Sequence, residues 1–133
     1  MAKPTVLLIE DNDVNRELVE DLLGVAGYAV VAYPSGEEGM AWLAGNRPDL
    51  ILMDINLPGQ DGLALARQIK SRPETARIPV VALTAYAMNG DRERILAAGC
   101  DGYISKPIDV PHFPAEVTRF LAAIAGAGPR SNT

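Results

Sequence analysis

At 133 residues, 48% apolar and 22% charged, the chain has the size and composition of one globular domain with one core. Its net charge of −5 and isoelectric point near 4.8 leave no basic surplus to neutralise phosphates, which argues against a nucleic-acid partner. The apolar stretches are too short for a bilayer, Met1-Ala-Lys-Pro-Thr-Val6 lacks a signal-peptide core, and the lone Cys100 excludes an internal disulfide, so a cytoplasmic chain with no membrane contact is expected.

Thr5–Ile9 reads as a buried strand ending on Glu10-Asp11. Val14, Leu18, Leu22, Val25 and Ala26 then recur at helical spacing, and Gly27 closes that helix. Ala29–Ala32 is a short second strand. Ser35-Gly-Glu-Glu38 is a capping box, in which the Ser35 hydroxyl and the Glu38 carboxylate satisfy free backbone N–H groups. The helix it opens carries Met40, Trp42 and Leu43 and stops near Gly45. Leu50–Met53 is the third strand and runs into Asp54. A turn-rich loop, Pro58-Gly-Gln-Asp-Gly62, leads to a helix over Leu63–Ser71 with Leu65 and Ile69 facing inward. Val80–Thr84 is the fourth strand, Asp91–Ala98 a helix closed by Gly99, and Gly102–Ser105 the fifth strand. Phe113, Val117, Phe120, Leu121 and Ile124 mark a last amphipathic helix. Residues 1–125 thus form one domain, and the small, polar segment 126–133 is expected to be a disordered tail.

Five βα units in succession imply an α/β fold: a doubly wound parallel sheet with helices on both faces and right-handed crossovers. In such sheets the ligand crevice lies beyond the carboxyl ends of the strands. Glu10, Asp11 and Asp54 would meet there with the hydroxyl of Thr84 and the ammonium of Lys106. Like charges about 4 Å apart at an effective dielectric of about 20 repel by roughly 4 kcal/mol per pair, so the acids call for a cation. Carboxylate, carbonyl and water ligands suit Mg²⁺. A calcium loop is rejected: Asp11-x-Asp13-x-Asn15 opens that pattern, but Arg16 stands at its glycine position and Leu22 at its closing glutamate. A cis Lys106-Pro107 bond would fix Lys106, but about one X-Pro bond in twenty is cis in folded proteins, so cis is the minority case and the sequence leaves the isomer open.

Four segments carry a resemblance: Ile9-Glu-Asp-Asn12, Leu52-Met-Asp-Ile-Asn-Leu-Pro58, Leu83-Thr-Ala-Tyr-Ala87 and Tyr103-Ile-Ser-Lys-Pro-Ile108. In this order and at these strand ends they resemble the receiver domain of bacterial two-component response regulators. With Ile78-Pro-Val-Val81 and Gly90-Asp-Arg-Glu-Arg-Ile95, the chain looks most like DivK-type single-domain regulators, with receivers of hybrid histidine kinases second. The resemblance implies a flavodoxin-like (βα)5 fold with strand order 2-1-3-4-5. It implies that Asp54 accepts a phosphoryl group from a phosphohistidine. Asp11 and Asp54 would bind Mg²⁺ directly, Asn56 through its backbone carbonyl and Glu10 through metal-bound water. Lys106 would pair with one phosphoryl oxygen and Thr84 with another, and Tyr103 would turn inward as Thr84 moves. Asn56 and Tyr86 lie at positions that tune dephosphorylation in that family. The implied partners are a histidine kinase or histidine phosphotransfer protein, and a downstream protein read through the fourth helix, fifth strand and fifth helix. Such a regulator takes part in its own phosphorylation and dephosphorylation and is otherwise no enzyme.

The rival readings fit less well. A phosphoaspartate phosphohydrolase of the dehalogenase type needs a second carboxylate two positions after the nucleophile, and Asn56 cannot be a general acid. A nucleotide- or flavin-binding domain needs a glycine-rich loop after strand one, where this chain has Glu10-Asp-Asn-Asp13. A receiver-like adaptor that has lost phosphorylation would not keep Asp54, Thr84 and Lys106.

Overall fold

A computed structural model describes residues 3–57, 61–85 and 89–130, with 89–90 and 123–130 by backbone alone. Five strands and five helices alternate along the chain: β1 (Thr5–Ile9), α1 (Asp13–Val25), β2 (Ala29–Tyr33), α2 (Gly36–Leu43), β3 (Leu50–Asp54), α3 (Gly62–Ser71), β4 (Val80–Thr84), α4 (Asn89–Ala97), β5 (Gly102–Ser105) and α5 (Phe113–Arg130). The strands are parallel and ordered β2-β1-β3-β4-β5, as expected from the family resemblance.

Each central strand is apolar on both faces because each face is covered. Leu7, Ile9, Ile51, Met53, Val80 and Ala82 point to the side holding Leu43 of α2, Leu63, Leu65, Ala66 and Ile69 of α3, and Ile95 of α4. Val6, Leu8, Leu50, Leu52, Val81, Leu83 and Ile104 point to the other, against Val19 and Leu23 of α1 and Phe113 and Val117 of α5. A one-residue slip of any strand would exchange the two sets, so burial fixes the register. The pairs Ile9↔Met53 and Asp54↔Leu83 therefore bring the ends of β1, β3 and β4 level. Because the chain steps from β1 out to β2 and back across to β3, the carboxyl ends of β1 and β3 flank the switch point where open α/β sheets bind ligands.

Local chemistry sets the helix ends. Asn12 caps α1 by accepting the Asn15 N–H at 2.9 Å, and Gly27 leaves the helix at φ +100°, a backbone that L side chains rarely adopt. Ser35 caps α2 through the Glu38 N–H at 3.2 Å, but Glu38 takes the Ser35 hydroxyl at 3.3 Å. That is half of the capping box read from the sequence. The buried line of α1 also differs from the sequence reading. Val19 and Leu23 are buried, Leu18 and Leu22 half-buried, and Val14 and Val25 exposed. The Lys106-Pro107 bond, left open by the sequence, is cis. The backbone of α5 continues as helix through residues 126–130, the first part of the segment read as a tail; residues 131–133 lie outside those described.

Candidate functional site

Glu10, Asp11 and Asp54 each offer a carboxylate oxygen, and these oxygens lie within 4.8 Å of one another at the switch point. Asp54 ends β3 and is buried; Glu10 follows β1 directly and is also buried, while Asp11 is half-buried. Glu10 is tied in by its own N–H, which donates to the Tyr33 carbonyl at 3.0 Å, and by Oε2, which accepts the Asn12 N–H at 3.1 Å. Asp54 Oδ1 accepts the Asn56 N–H at 2.9 Å, so the turn after β3 closes over its own carboxylate.

Lys106 supplies the cation. Its Nζ stands 2.8 Å from Glu10 Oε1 and 3.0 Å from Asp54 Oδ2. The Asp54 contact is an aligned hydrogen bond. The Glu10 contact is close enough to be an ion pair but is not aligned as a hydrogen bond, which leaves Oε1 a buried acceptor without a hydrogen-bond partner. Burial raises the Glu10 carboxyl above the ordinary carboxylate range, and Lys106 and the Asn12 N–H offset part of that rise. For Lys106 burial works against the charge, but Glu10 and Asp54 outweigh it and hold the ammonium above the ordinary lysine value. One lysine thus faces three acids. A hard divalent cation fits the remainder: all its prospective side-chain ligands are oxygens, and Glu10 Oε1, ion-paired to Lys106 but without an aligned donor, can accept a hydrogen bond from metal-bound water.

Thr84 ends β4, fully buried, and pairs in register with Ser105; its carbonyl accepts the Lys106 N–H at 2.7 Å. That bond carries Lys106 back toward the acids. Asn56 is exposed beside them. Among the described residues, Tyr103 stands apart from the acids and Lys106. It lies half-buried on β5 opposite Ala82, packed toward the α2–α3–α4 face. Beside it opens a cavity of about 550 Å³, lined by Ser105, Pro107, Asp109, His112 and Glu116 among others. Tyr86 and Pro58–Gln60 lie outside the described residues.

Two contributors have no sequence signal of their own. Gly62, at the start of α3, donates its N–H to the Ile55 carbonyl at 3.2 Å, and a Cβ there would lie 2.4 Å from Ile55 Cα and 2.8 Å from the Asp54 carbonyl oxygen. Only glycine lets α3 start this close behind Asp54. Arg16 reaches back from α1 to the carbonyls of Glu10 and Asp11, six and five residues away, at 2.9 Å and 3.4 Å. Helical periodicity does not encode such a contact.

Residues 6–118 match the family described as Response regulator receiver domain. Over 117 residues the chain is 44% identical to the polar-differentiation response regulator DivK of Brucella anthropi, covering 88% of this chain and 95% of that protein. Among solved structures, it is similar to the receiver domain of a Pseudomonas aeruginosa sensor histidine kinase, crystallised with a magnesium ion coordinated in the active site cleft. The TM-score is 0.81 at 38% identity, over 94% of this chain and 99% of that one. The phosphorylated cyanobacterial phytochrome response regulator RcpA gives a TM-score of 0.77 at 32% identity, over 89% of this chain and 91% of that one.

Proposed function

The chain belongs to the response regulator receiver domain family, and on that premise we propose that it takes a phosphoryl group from a phosphohistidine onto Asp54, with Mg²⁺, and signals by phosphorylation-dependent protein binding. The observation that carries this reading is the buried Asp54 carboxylate at a strand end, joined by two further acids and one lysine. An Asp54 oxygen forms the new bond to phosphorus while the phosphorus–nitrogen bond breaks and its electron pair returns to the imidazole. Asp11 and Asp54 would hold the metal by their carboxylates, Asn56 by its backbone carbonyl and Glu10 through water. When bound, Mg²⁺ neutralises charge on the transferring oxygens. Lys106 adds a second positive charge, already turned to Asp54, and Thr84 offers its hydroxyl from the neighbouring strand end. Little covalent help is needed in such a transfer, so positioning and charge supply most of the rate.

Output goes to a protein through the face made by α4, β5 and α5. Support comes from the cavity beside Tyr103, one strand away from Thr84, and from the acidic net charge. The phosphohistidine donor is a histidine kinase or a phosphotransfer protein of the same two-component class. We place the chain in the cytoplasm together with that donor. None of the described helices is long and apolar enough to cross a membrane. Intact-mass measurement after exposure to a small phosphodonor tests the central step. One phosphoryl adduct is expected with Mg²⁺ and none with chelator, and an adduct of equal yield in both would refute the metal-dependent reading.

A further inference from the structure

Arg16 occupies the first turn of α1, where a cation opposes the helix dipole. Its side chain is only 20% exposed, and it does not extend into solvent as a surface arginine would. One guanidinium nitrogen, Nη1, donates to the Glu10 carbonyl at 2.9 Å and lies 3.4 Å from the Asp11 carbonyl; the other, Nη2, pairs with Asp13. Those two carbonyls belong to the two residues whose carboxylates must converge on Asp54. The turn between β1 and α1 is thereby gripped at its backbone from the helix side, while Glu10 N–H is held from β2 by the Tyr33 carbonyl. The planar guanidinium suits this task because its donors have fixed directions.

We propose that Arg16 is a positioning residue for the divalent metal. Its grip on the Glu10 and Asp11 carbonyls holds the β1–α1 turn in the one shape that presents both carboxylates to Asp54. This inference rests on the reading of the three acids as a Mg²⁺ site. Partners that orient metal ligands from outside the coordination shell typically change affinity by about 10–100-fold when removed. Arg16 acts on backbone carbonyls, several bonds away from the carboxylate oxygens, so the lower end, about tenfold, is expected.

Calorimetric titration of the full chain with Mg²⁺ tests it, using the wild type, Arg16→Ala, Arg16→Lys and Asp13→Asn. Arg16→Ala should bind Mg²⁺ about tenfold more weakly, and at saturating Mg²⁺ its phosphorylation rate from a small phosphodonor should return to within about twofold of wild type. Arg16→Lys, which keeps a charge but not the fork, should recover only part of the affinity. Asp13 is 82% exposed and pairs with Nη2, not with the Nη1 that holds the carbonyls, so Asp13→Asn should bind as wild type does. Wild-type affinity in Arg16→Ala, or an equal loss in Asp13→Asn, would overturn the inference while leaving the metal site standing. A wild-type chain that takes up no Mg²⁺ would instead overturn the metal-site reading, and the inference with it. Should Arg16→Ala fail to fold, Arg16→Gln, which keeps one donor for the Glu10 carbonyl, carries the same comparison, and wild-type affinity there with Arg16→Lys unchanged would refute it.

Discussion

Replacing Lys106 by alanine should destabilise the metal-free protein far more than loss of a surface lysine would. Each of its two contacts, at about 3 Å and an effective dielectric of about 20, is worth roughly 5 kcal/mol of Coulomb attraction, most of it offset by desolvation. The larger effect lies in what remains. The Glu10 and Asp54 side chains are 1% and 5% exposed, so two buried carboxylates would face each other and Asp11 without a counter-charge. Breaking a buried pair in this way costs about 3–5 kcal/mol. The lower figure, about 3 kcal/mol, applies because Asp11 is half-open to water and screening reaches the cluster from that side. Urea unfolding followed by circular dichroism in chelator should show the midpoint lowered by about 1–3 M. Mg²⁺ should narrow the gap, since an ion that binds only the folded form replaces part of the missing charge. The pH dependence has a definite sign. The folded pKa of Lys106 is raised, so its stabilisation is full below the ordinary lysine value and is lost only as pH climbs through the folded one. The wild-type advantage should therefore hold across neutral pH. An unchanged midpoint in chelator would refute the view that Lys106 neutralises a strained acidic cluster.

Gly62→Ala should cost about 1–3 kcal/mol, because the atoms a Cβ would strike are backbone and cannot swing away; equal urea midpoints would contradict this. Cys100 is buried, and its thiol is pushed up to about 11 by burial first and the Asp101 carboxylate second. It should not react with a thiol reagent near pH 8 until the protein unfolds. Its stabilisation is present below the ordinary thiol value of 9.0 and lost as pH rises to about 11, a slope that Cys100→Ala should remove; rapid native labelling would overturn the assignment. Tyr103→Ala should leave phosphorylation of Asp54 intact while uncoupling partner affinity from it. Retention of the full phosphorylation-dependent gain in affinity would show that Tyr103 only packs.

The strands were legible because apolar runs such as Leu50–Met53 are too short for a buried helix, lie between turn signals and end abruptly on a polar residue, as strands buried on both faces do. The site followed from those ends, since parallel strands place their last residues at one edge. Helix faces were harder. In α1 the sets Val14, Leu18, Leu22 and Val19, Leu23 lie one residue apart and share one spacing, and only packing against Val6 and Leu8 decides that the second is buried. The Glu38 carboxylate could reach either of two donors at the start of α2, and the sequence does not distinguish them. Arg16 and Gly62 act on backbone atoms of other elements, and such contacts leave no period in the sequence.

Chemical trapping of the phosphorylated residue bears most directly on the central claim. Borohydride reduces an aspartyl phosphate to homoserine, so peptide mass spectrometry after treatment with phosphodonor and Mg²⁺ reads out the acceptor by position. Homoserine at position 54, absent from Asp54→Asn, is the expected result. Homoserine at Asp11 or elsewhere, or no homoserine despite a phosphoryl adduct on the intact chain, would contradict it.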